Sequence, residues 1–313
     1  MEYRKLGTTG LKVSVAGLGC NNFGMRCDEA RSIDVVHAAL DAGINFFDTA
    51  DVYGGSQSEI MLGRAIRGRD RSQIVIATKF GNPMGQGVLQ RGASRQYIHA
   101  AVEASLSRLN TDYIDLYQQH VPDADTPVEE TLRALDDLVR AGKVRYLGNS
   151  NFNGWQLADA DWTARHHGLT RFVTAQNHYN LLDRRIERDV LQACARFGVA
   201  MLPYFPLASG LLTGKYRRGE AAPQASRLAN FGERGKRALS DENFDMVEAL
   251  TAFAAERGRS LLELAMSWLA ARVEVASVIA GATHPEQVQA NVAAVGWRLD
   301  AGDLAEVDRL TLR

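Results

Sequence analysis

The feature that most constrains the fold of this chain is a regular alternation between short β-prone runs and longer helical stretches. From residue 15 onward, apolar runs of about 4–6 residues alternate with stretches of about 10–15 residues that have helical periodicity. The runs that predict strands are VAGLG, INFFD, IVIATK, YIDLYQQ, VRYLGNS, FVTAQ, AMLPYF and VASVIAG. Helices are predicted over residues 28–41, 57–66, 94–109, 127–141, 154–165 and 186–197, in an irregular stretch with two helices, and from residue 284.

Eight strand-helix units in 313 residues predict parallel strands joined by crossover helices, and a closed (β/α)8 TIM barrel is the natural arrangement. Before the barrel, EYRKL and LKVSV flank a turn bounded by Gly7 and Gly10, which predicts a β-hairpin. Extra helices are expected before the last strand and at the C-terminus. An open doubly wound sheet is the alternative, but it is usually accompanied by an early G-x-G-x-x-G motif, which this sequence lacks. Because no linker divides the chain, residues 1–313 are expected to form one domain.

Composition and charge limit the classes of partner. The chain has 36 Lys and Arg against 37 Asp and Glu, and no basic cluster, which argues against a nucleic-acid partner. No apolar run reaches about 18 residues, and MEYRKLG does not have the pattern of a signal peptide, so we expect no membrane partner and a cytoplasmic location. Cys20, Cys27 and Cys194 are too few and too scattered for a disulfide framework, and are expected to be reduced thiols.

Four polar residues lie at or just past the ends of three successive predicted strands. Asp48 ends the second barrel strand, Tyr53 follows it, Lys79 ends the third and His120 follows the fourth. Each has an ordinary alternative: a turn or helix cap for Asp48, a rim aromatic for Tyr53, a solvated charge for Lys79 and a structural histidine for His120. Since barrel enzymes place their chemistry at the carboxyl ends of the strands, the convergence of all four favours a catalytic site.

These four residues together can deliver a proton to a carbonyl group. An ammonium beside Tyr53 is expected to lower its pKa from about 10 and make it a usable general acid. Lys79, on a strand buried on both faces, needs a carboxylate partner, and Asp48 would keep it charged and oriented. His120 could donate a hydrogen bond to the substrate oxygen. None of these side chains can supply a hydride, so the sequence predicts a nicotinamide cofactor.

The chain resembles the aldo-keto reductase superfamily over almost its whole length, and in style it is closest to bacterial reductases related to potassium-channel β subunits. The motifs that carry the resemblance are GLGCNNFG, NFFDTADVYGGSQSEIMLG, IVIATKFG, YIDLYQQH, GNSNF, AQNHYN, PYFPLASGLLTGKY and GATHPEQVQAN. The resemblance implies the same barrel fold, the four residues above as the catalytic set, and NADPH or NADP+ as the cofactor. It implies no metal site.

The resemblance also implies a cofactor-binding role for residues along the later strands. Ser150, Asn151 and Gln176 would bind the nicotinamide carboxamide, and Tyr204 would stack on the nicotinamide ring. For Ser150 and Asn151 the alternative is a cap on the next helix, and for Tyr204 it is packing. The remaining implied contacts are Asp48, and Cys20 and Asn21 of the first motif, with Pro206, Leu207, Gly210, Lys215 and Arg227 of the segment that wraps the pyrophosphate. A solvated loop is the alternative for the last two.

The start of the last predicted helix has the features of a phosphate-binding site. Thr283 and Glu286 have the spacing of a capping box, and free amides at a helix N-terminus make a phosphate site. By resemblance, Thr283, Gln287 and Asn291 face the adenosine end of the cofactor, and Gly281 lets the backbone approach it. Many family members that prefer NADP have an arginine at the position of Thr283 or His284, and this chain has none. We therefore predict a preference for NADPH, with NADH also used.

The substrate is expected to be a small carbonyl compound, which means an aldehyde, a ketone or a sugar. Its pocket would lie over Tyr53 and His120, with walls formed by Phe23, the loop over residues 80–90 and parts of the long segment after the seventh strand. Two other functions stay open. A cofactor-sensing regulatory subunit similar to potassium-channel β subunits is disfavoured by the presence of His120 and by the lack of an N-terminal extension. A metal-dependent barrel hydrolase is disfavoured because only His120 and His178 are well placed as ligands.

Overall fold

Eight parallel strands form a barrel in the computed structural model, which describes residues 1–224, 226–230 and 232–312. The strands are β1 (Tyr3–Lys5), β2 (Lys12–Ser14), β3 (Ala16–Gly19), β4 (Phe46–Asp48), β5 (Val75–Phe80), β6 (Ile114–Gln119), β7 (Val144–Ser150), β8 (Phe172–His178), β9 (Ala200–Tyr204) and β10 (Val278–Gly281). Their order in the large sheet is β10, β3, β4, β5, β6, β7, β8 and β9, and every neighbouring pair in it is parallel.

Backbone hydrogen bonds bring the two ends of this sheet together. Met201 in β9 donates to Glu274 O at 2.7 Å and accepts from Ala276 N at 3.1 Å, just before β10 begins. The sheet therefore closes on itself, and the predicted (β/α)8 barrel is confirmed. Since crossover connections between parallel strands need helices, the intervening helices surround the barrel.

The helices cover the outside of the barrel. They are α1 (Glu29–Asp41), α2 (Gln57–Ala65), α3 (Arg95–Leu109), α4 (Val128–Arg140), α5 (Gly154–His167), α6 (Val190–Phe197), α7 (Gly232–Ala238), α8 (Asp241–Ala255), α9 (Leu261–Ala270), α10 (Pro285–Ala294) and α11 (Ala301–Thr311). Within the described parts of the chain, no helix combines the length and the apolar character needed to cross a membrane.

Two helix predictions were wrong in detail. The helix expected over 186–197 is a 3-10 turn (Arg185–Arg188) followed by α6, because Asp189 takes a non-helical backbone conformation. Its two carboxylate oxygens accept hydrogen bonds from Val190 N at 2.7 Å and Gly154 N at 2.8 Å, so the break ties α6 to the start of α5. Between β9 and β10, where two helices were expected, the described residues form three α-helices, α7 to α9.

The predicted N-terminal hairpin forms and closes one end of the barrel. β1 and β2 pair antiparallel, with Tyr3 opposite Ser14. Leu6 and Val13 are fully buried, and they belong to the same apolar cluster as Leu116 and Leu202 from the barrel interior. The hairpin thus seals the end at which the strands begin, and the opposite end, where the strands finish, is left for a site.

Candidate active site

The alternation of side chains along each strand decides which residues face the barrel interior. In β5, Ala77 packs in the interior cluster while Ile76 packs in the cluster beneath the helices. Two residues after Ala77, Lys79 continues the inward row. The same alternation places Asp48 two residues after the interior Phe46. In β4 and β5 the inward row therefore runs from an apolar residue in the closed floor to a charged residue at the open mouth.

Lys79 and Asp48 form a buried ion pair at this mouth. Nζ of Lys79 lies 2.7 Å from Oδ2 of Asp48 and 2.8 Å from the carbonyl oxygen of Thr49. The other Asp48 oxygen accepts from Nε2 of Gln176 at 2.7 Å and from Nε2 of Gln118 at 3.3 Å. Lys79 is completely buried and has the carboxylate partner that the sequence predicted. A buried ammonium group needs such a partner, because an unpaired charge inside a protein is strongly destabilising.

The loop between β4 and α2 brings Tyr53 over this pair. The Tyr53 hydroxyl lies 3.4 Å from Nζ of Lys79, and its ring meets the His120 ring edge to face with centroids 5.7 Å apart. Gly54 makes the turn possible: it has a φ of 57°, and a Cβ there would lie 2.5 Å from the carbonyl oxygen of Phe23. The four residues predicted from strand ends are thus brought together.

Charge and burial act in opposite directions on Tyr53. Burial raises the pKa of its phenol, and the attraction of Lys79 does not reverse this, so the pKa lies above its usual value. The predicted lowering was wrong, because the phenol gives up more hydration than one neighbouring ammonium replaces. Burial also opposes the charge on Lys79, but Asp48 and Tyr53 raise its pKa above the usual range. At neutral pH the site thus holds a protonated phenol beside a charged ammonium.

A cavity of about 530 Å³ opens beside these residues. Asp48, Tyr53 and His120 line it, whereas Lys79 lies behind them. The predicted cofactor-binding residues that line the cavity are Asn21, Asp48, Ser150, Asn151, Gln176, Tyr204, Pro206, Leu207, Gly210, Lys215, Arg227, Gly281, Thr283, Gln287 and Asn291.

Three expectations about the residues that line the cavity were wrong. Cys20 is fully buried outside the lining; its N–H donates to Asp48 O at 2.8 Å and its carbonyl accepts from the Ser58 hydroxyl at 2.8 Å. Phe23 is also fully buried and belongs to the core beneath the helices. No residue of the 80–90 loop is among the lining residues, since this loop folds back on itself, with Met84 N donating to Gln90 O at 2.9 Å.

Ser150, Asn151 and Gln176 form a small polar cluster at the ends of β7 and β8. The Ser150 hydroxyl donates to Gln176 O at 2.8 Å, and Nδ2 of Asn151 lies 3.1 Å from the Ser150 hydroxyl. The alternative that Ser150 or Asn151 caps α5 was wrong, because the cap is Asn153, which forms a capping box with Gln156. The two side chains are therefore left at the cavity.

Tyr204 joins this cluster and presents an aromatic ring to the cavity. Its hydroxyl donates to Oδ1 of Asn151 at 2.8 Å. His178 lies stacked against the Tyr204 ring, with centroids 5.5 Å apart and planes 10° apart. The ring is thus braced by an imidazole that does not itself line the cavity.

One end of the cavity is electropositive. Arg26, Lys215 and Arg227 line it, and among the described lining residues the only carboxylate is Asp48, which is already paired. Burial, and after it the charge of Arg26, lowers the pKa of Arg227. A cavity lined by three cationic side chains suits an anionic ligand. Sequence reasoning missed Arg26, although it follows the first barrel strand, where the rule about carboxyl ends could have found it.

The start of α10 differs from the predicted capping box. The N-cap is His284, whose side chain makes no capping bond, and Pro285 occupies the first helical position. Instead, Oε1 of Gln287 accepts from Thr283 N at 2.8 Å and from the Thr283 hydroxyl at 3.2 Å. The difference arises because the helix begins one residue later than expected. Gln287 rather than Glu286 is therefore the third helical residue, whose side chain can accept a hydrogen bond from the residues before the helix.

The fold and the site together define a (β/α)8 barrel protein with a polar cavity at the carboxyl ends of its strands. The sequence model of the aldo/keto reductase family matches residues 16–311, and the chain belongs to this family.

Three relatives with different names are similar over nearly their whole length. A probable voltage-gated potassium channel subunit beta of Arabidopsis thaliana is 39% identical, over 94% of this chain and 91% of its own. The aldo-keto reductase YhdN of Bacillus subtilis is 36% identical, over 99% and 93%. The L-glyceraldehyde 3-phosphate reductase of Escherichia coli is 34% identical, over 99% and 92%.

The metal-dependent alternative needs a cluster of His and carboxylate ligands. In the part of the chain that the structure describes, no three His, Cys, Asp or Glu side chains come together in a way that could hold a metal ion. The nitrogens of His178 lie 3.1 Å from an Asp183 oxygen and 3.1 Å from the Asn180 amide.

Proposed function

We propose that the protein is an NAD(P)H-dependent oxidoreductase that reduces an aldehyde, a ketone or a sugar to an alcohol, with Tyr53 as general acid. The observation that carries the proposal is the contact of the Tyr53 hydroxyl with a fully buried, carboxylate-paired lysine, 3.4 Å from its Nζ. This contact lies at the edge of a cavity of about 530 Å³. Membership of the aldo/keto reductase family supports the same reaction class.

The lining residues fit a nicotinamide dinucleotide. The amide cluster of Ser150, Asn151 and Gln176 offers donors and acceptors to a carboxamide, and Tyr204 offers a flat face to a ring. Lys215 and the two arginines offer charge to phosphates at the other end. A bound nicotinamide would supply the hydride that no side chain can provide.

Side chains of the protein itself would transfer the proton to the substrate. Tyr53 donates the proton of its hydroxyl to the carbonyl oxygen, which leaves a phenolate. Lys79, held charged by Asp48, lies 3.4 Å from that oxygen and stabilises the negative charge as it forms. His120 hydrogen-bonds the same substrate oxygen and fixes its position between the two rings. General-acid catalysis of this kind contributes about 10²–10⁴-fold to a rate.

NADPH is the cofactor that we expect the protein to prefer, with NADH also used. The cavity has Arg26 and Arg227 for a phosphate, which favours NADPH. No arginine lies at the start of α10, which limits the preference. The ratio of kcat/KM for the two cofactors with one substrate measures it, and a ratio that favours NADH would contradict the prediction.

The deciding experiment compares the wild type with Tyr53→Phe, using loss of NADPH absorbance with a panel of aldehydes, ketones and sugars. We expect turnover by the wild type and a loss of about 10²–10⁴-fold in kcat in the variant, with the cofactor affinity unchanged. Tyr3→Phe, far from the cavity on β1, is the control for removing a phenol hydroxyl, and it should keep full activity.

A different outcome would favour a regulatory role. One similar protein is named as a potassium channel subunit beta, so a wild type that binds NADPH but turns over none of the substrates would replace the reductase proposal with that of a cofactor-sensing subunit. A cytoplasmic location stays a prediction, to be checked by fractionating cells that express the protein.

A further inference from the structure

The position of His120 is fixed by contacts at its backbone and on its ring. Its N–H donates to Phe80 O at 2.8 Å, and its carbonyl accepts from Nδ2 of Asn151 at 2.9 Å. Tyr53 packs edge to face against the ring. On the ring edge, Nδ1 of His120 lies 3.0 Å from Nδ2 of Asn82, which leaves Nε2 as the ring nitrogen free for a ligand in the cavity that His120 lines.

The backbone beyond β5 brings Asn82 to this place. Gly81 has a φ of 118°, a conformation that other residues rarely adopt, and it turns the chain directly after the strand. Gly92 N donates to Gly81 O at 2.9 Å, and the Tyr97 hydroxyl contacts Asn82 O at 3.4 Å, so both ends of the turn are held. Asn82 is therefore in a fixed segment, although it does not line the cavity.

The chemistry of the two groups decides where the imidazole proton lies. An amide nitrogen has hydrogens but no available lone pair, so it can only donate, and Nδ1 must accept. Burial, and after it the charge of Lys79, lowers the pKa of His120 to about 3, so the ring is neutral at physiological pH. A neutral ring that accepts at Nδ1 carries its single hydrogen on Nε2.

We infer that Asn82 is a positioning residue that holds His120 in the Nε2–H tautomer, so that its donor is aimed at the substrate oxygen. The reductase mechanism needs a donor at this point, and the inference rests on the proposed function to that extent. Neither the sequence motifs nor the family match pointed to Asn82. Its role is separate from that of Lys79, which lowers the pKa of the ring but does not choose between its two nitrogens.

The tautomer can be observed directly in the wild type without any substrate. In protein labelled with ¹⁵N-histidine, long-range ¹H–¹⁵N correlation spectra distinguish the two neutral forms, and His120→Gln identifies the signal among the seven histidines. We expect the Nε2–H pattern at pH 7 and its loss or averaging in Asn82→Ala. A wild-type Nδ1–H pattern would overturn the inference, whether or not the protein turns over a substrate.

Asn82→Asp provides a second readout that a merely structural role would not give. A carboxylate at this position accepts from Nδ1, so the neutral ring presents a lone pair at Nε2 and loses its donor. The carboxylate also favours the imidazolium, in which Nε2–H is restored. Two titratable groups lie near the His120 ring. Lys79 is the charged group that acts on the pKa of His120, and Tyr53 packs against the ring. Both Lys79 and Tyr53 keep their protons below pH 9.

The expected result is a gain of activity at low pH that only the Asn82→Asp variant shows. At pH 8, kcat/KM of Asn82→Asp should fall by about 10²-fold, with recovery as the pH falls towards 6, while the wild type shows no such recovery. Asn82→Ala should lose activity at every pH, with unchanged cofactor affinity. Asn110→Asp adds the same charge at an exposed site after α3 and should match the wild type. Equal, pH-independent losses in both Asn82 variants would overturn the inference. If the wild type had no turnover, the reductase proposal would fail, and the spectra would still decide the tautomer.

Discussion

Lys79 carries its charge in a part of the barrel where its side chain is fully buried, and three oxygen atoms contact its ammonium group. Asp48, the Thr49 carbonyl and the Tyr53 hydroxyl surround Nζ at 2.7, 2.8 and 3.4 Å. A buried pair of this kind adds little to stability compared with apolar residues of the same shape. Its value lies in fixing a charge beside one phenol, which is a functional reason for the protein to keep it.

A second buried carboxylate, Asp51, lies in the loop between Asp48 and Tyr53. Burial, and after it the charge of Glu59, raises the pKa of Asp51 from 3.8 to about 7. The Tyr97 hydroxyl lies 3.4 Å from Oδ2 of Asp51. The carboxylate of Glu59 forms its own ion pair with Arg108, at 2.6 Å. Because the native state holds this proton more tightly than the unfolded chain, stability is lost as the pH rises from about 4 through 7.

Asp51→Asn should remove this dependence, because the amide has nothing to ionise. We expect the variant and the wild type to have similar free energies of unfolding near pH 4. At pH 8 the variant should be more stable by about 2–4 kcal/mol. Urea unfolding at both pH values measures the difference. The exposed Asp159→Asn is the control, and a variant no more stable than the wild type at pH 8 would contradict the prediction.

The sequence was informative about which residues meet and less so about their protonation. Asp48 and Lys79 could be located because each ends a short apolar run that predicts a barrel strand, whereas Gln176 was named only through the family resemblance. The pKa of Tyr53 depends on how completely distant segments bury the phenol, and no local pattern contains that information. Asn82 was missed because an asparagine after a glycine is typical of any turn.

Among the elements, α10 begins without a side-chain cap, as α2 and α4 also do. Its N-cap residue His284 has the extended backbone that suits a cap, with φ −149° and ψ 152°, but its side chain makes no capping bond. By contrast, α5, α9 and α11 all begin with capping boxes. Free amides at this helix start would be useful for a phosphate, at some cost to the helix itself.

His284→Ser should therefore stabilise the free protein. A serine oxygen can accept from an amide of the first turn, which typically adds about 0.5–1 kcal/mol to the free energy of unfolding. Chemical unfolding without cofactor measures the gain. His166→Ser, near the C-terminal end of α5 and exposed, is the matched control and should give no gain. A gain no larger than that of the control would show that this end of the helix needs no cap.

The elements that sequence reasoning placed well are those with strong local signals. Strands β3 to β10 each have a short apolar run, and the hairpin has its glycine-bounded turn. The break before α6 could not be predicted, because Asp189 stops the helix while binding Gly154 N, which is 35 residues away. The shift of the α10 cap by one residue depends on how the chain leaves β10, which is also a tertiary matter.

For the whole molecule, we propose that residues 1–313 form one cooperative domain. The hairpin contributes Leu6 and Val13 to the barrel floor, and Arg4 donates to Ala270 O at 2.6 Å and Val275 O at 3.0 Å. The N-terminal hairpin is thus packed in one unit with the barrel and with the segment between α9 and β10. The absence of a linker pattern led to the same expectation from the sequence.

Leu6→Ala tests this cooperativity. Removing a fully buried side chain from the floor should lower the free energy of unfolding by about 2–5 kcal/mol. The whole barrel should be destabilised by this amount. Far-UV circular dichroism and tryptophan fluorescence should report one coincident unfolding transition, moved to lower denaturant in the variant. The exposed Val88→Ala should not move it. Separate transitions for the two probes would mean that the hairpin end unfolds independently.

The pairing of β3 with β10 has a consequence for how the chain folds while it is being made. Val278 pairs with Ala16, so one edge of the first barrel strand stays without its neighbour until the chain has been translated as far as residue 278. Until then, a nascent barrel on the ribosome has unpaired backbone groups along the outer edges of β3 and β9. Such edges invite pairing with other chains. The last strand to be synthesised is therefore the one that protects the first from aggregation.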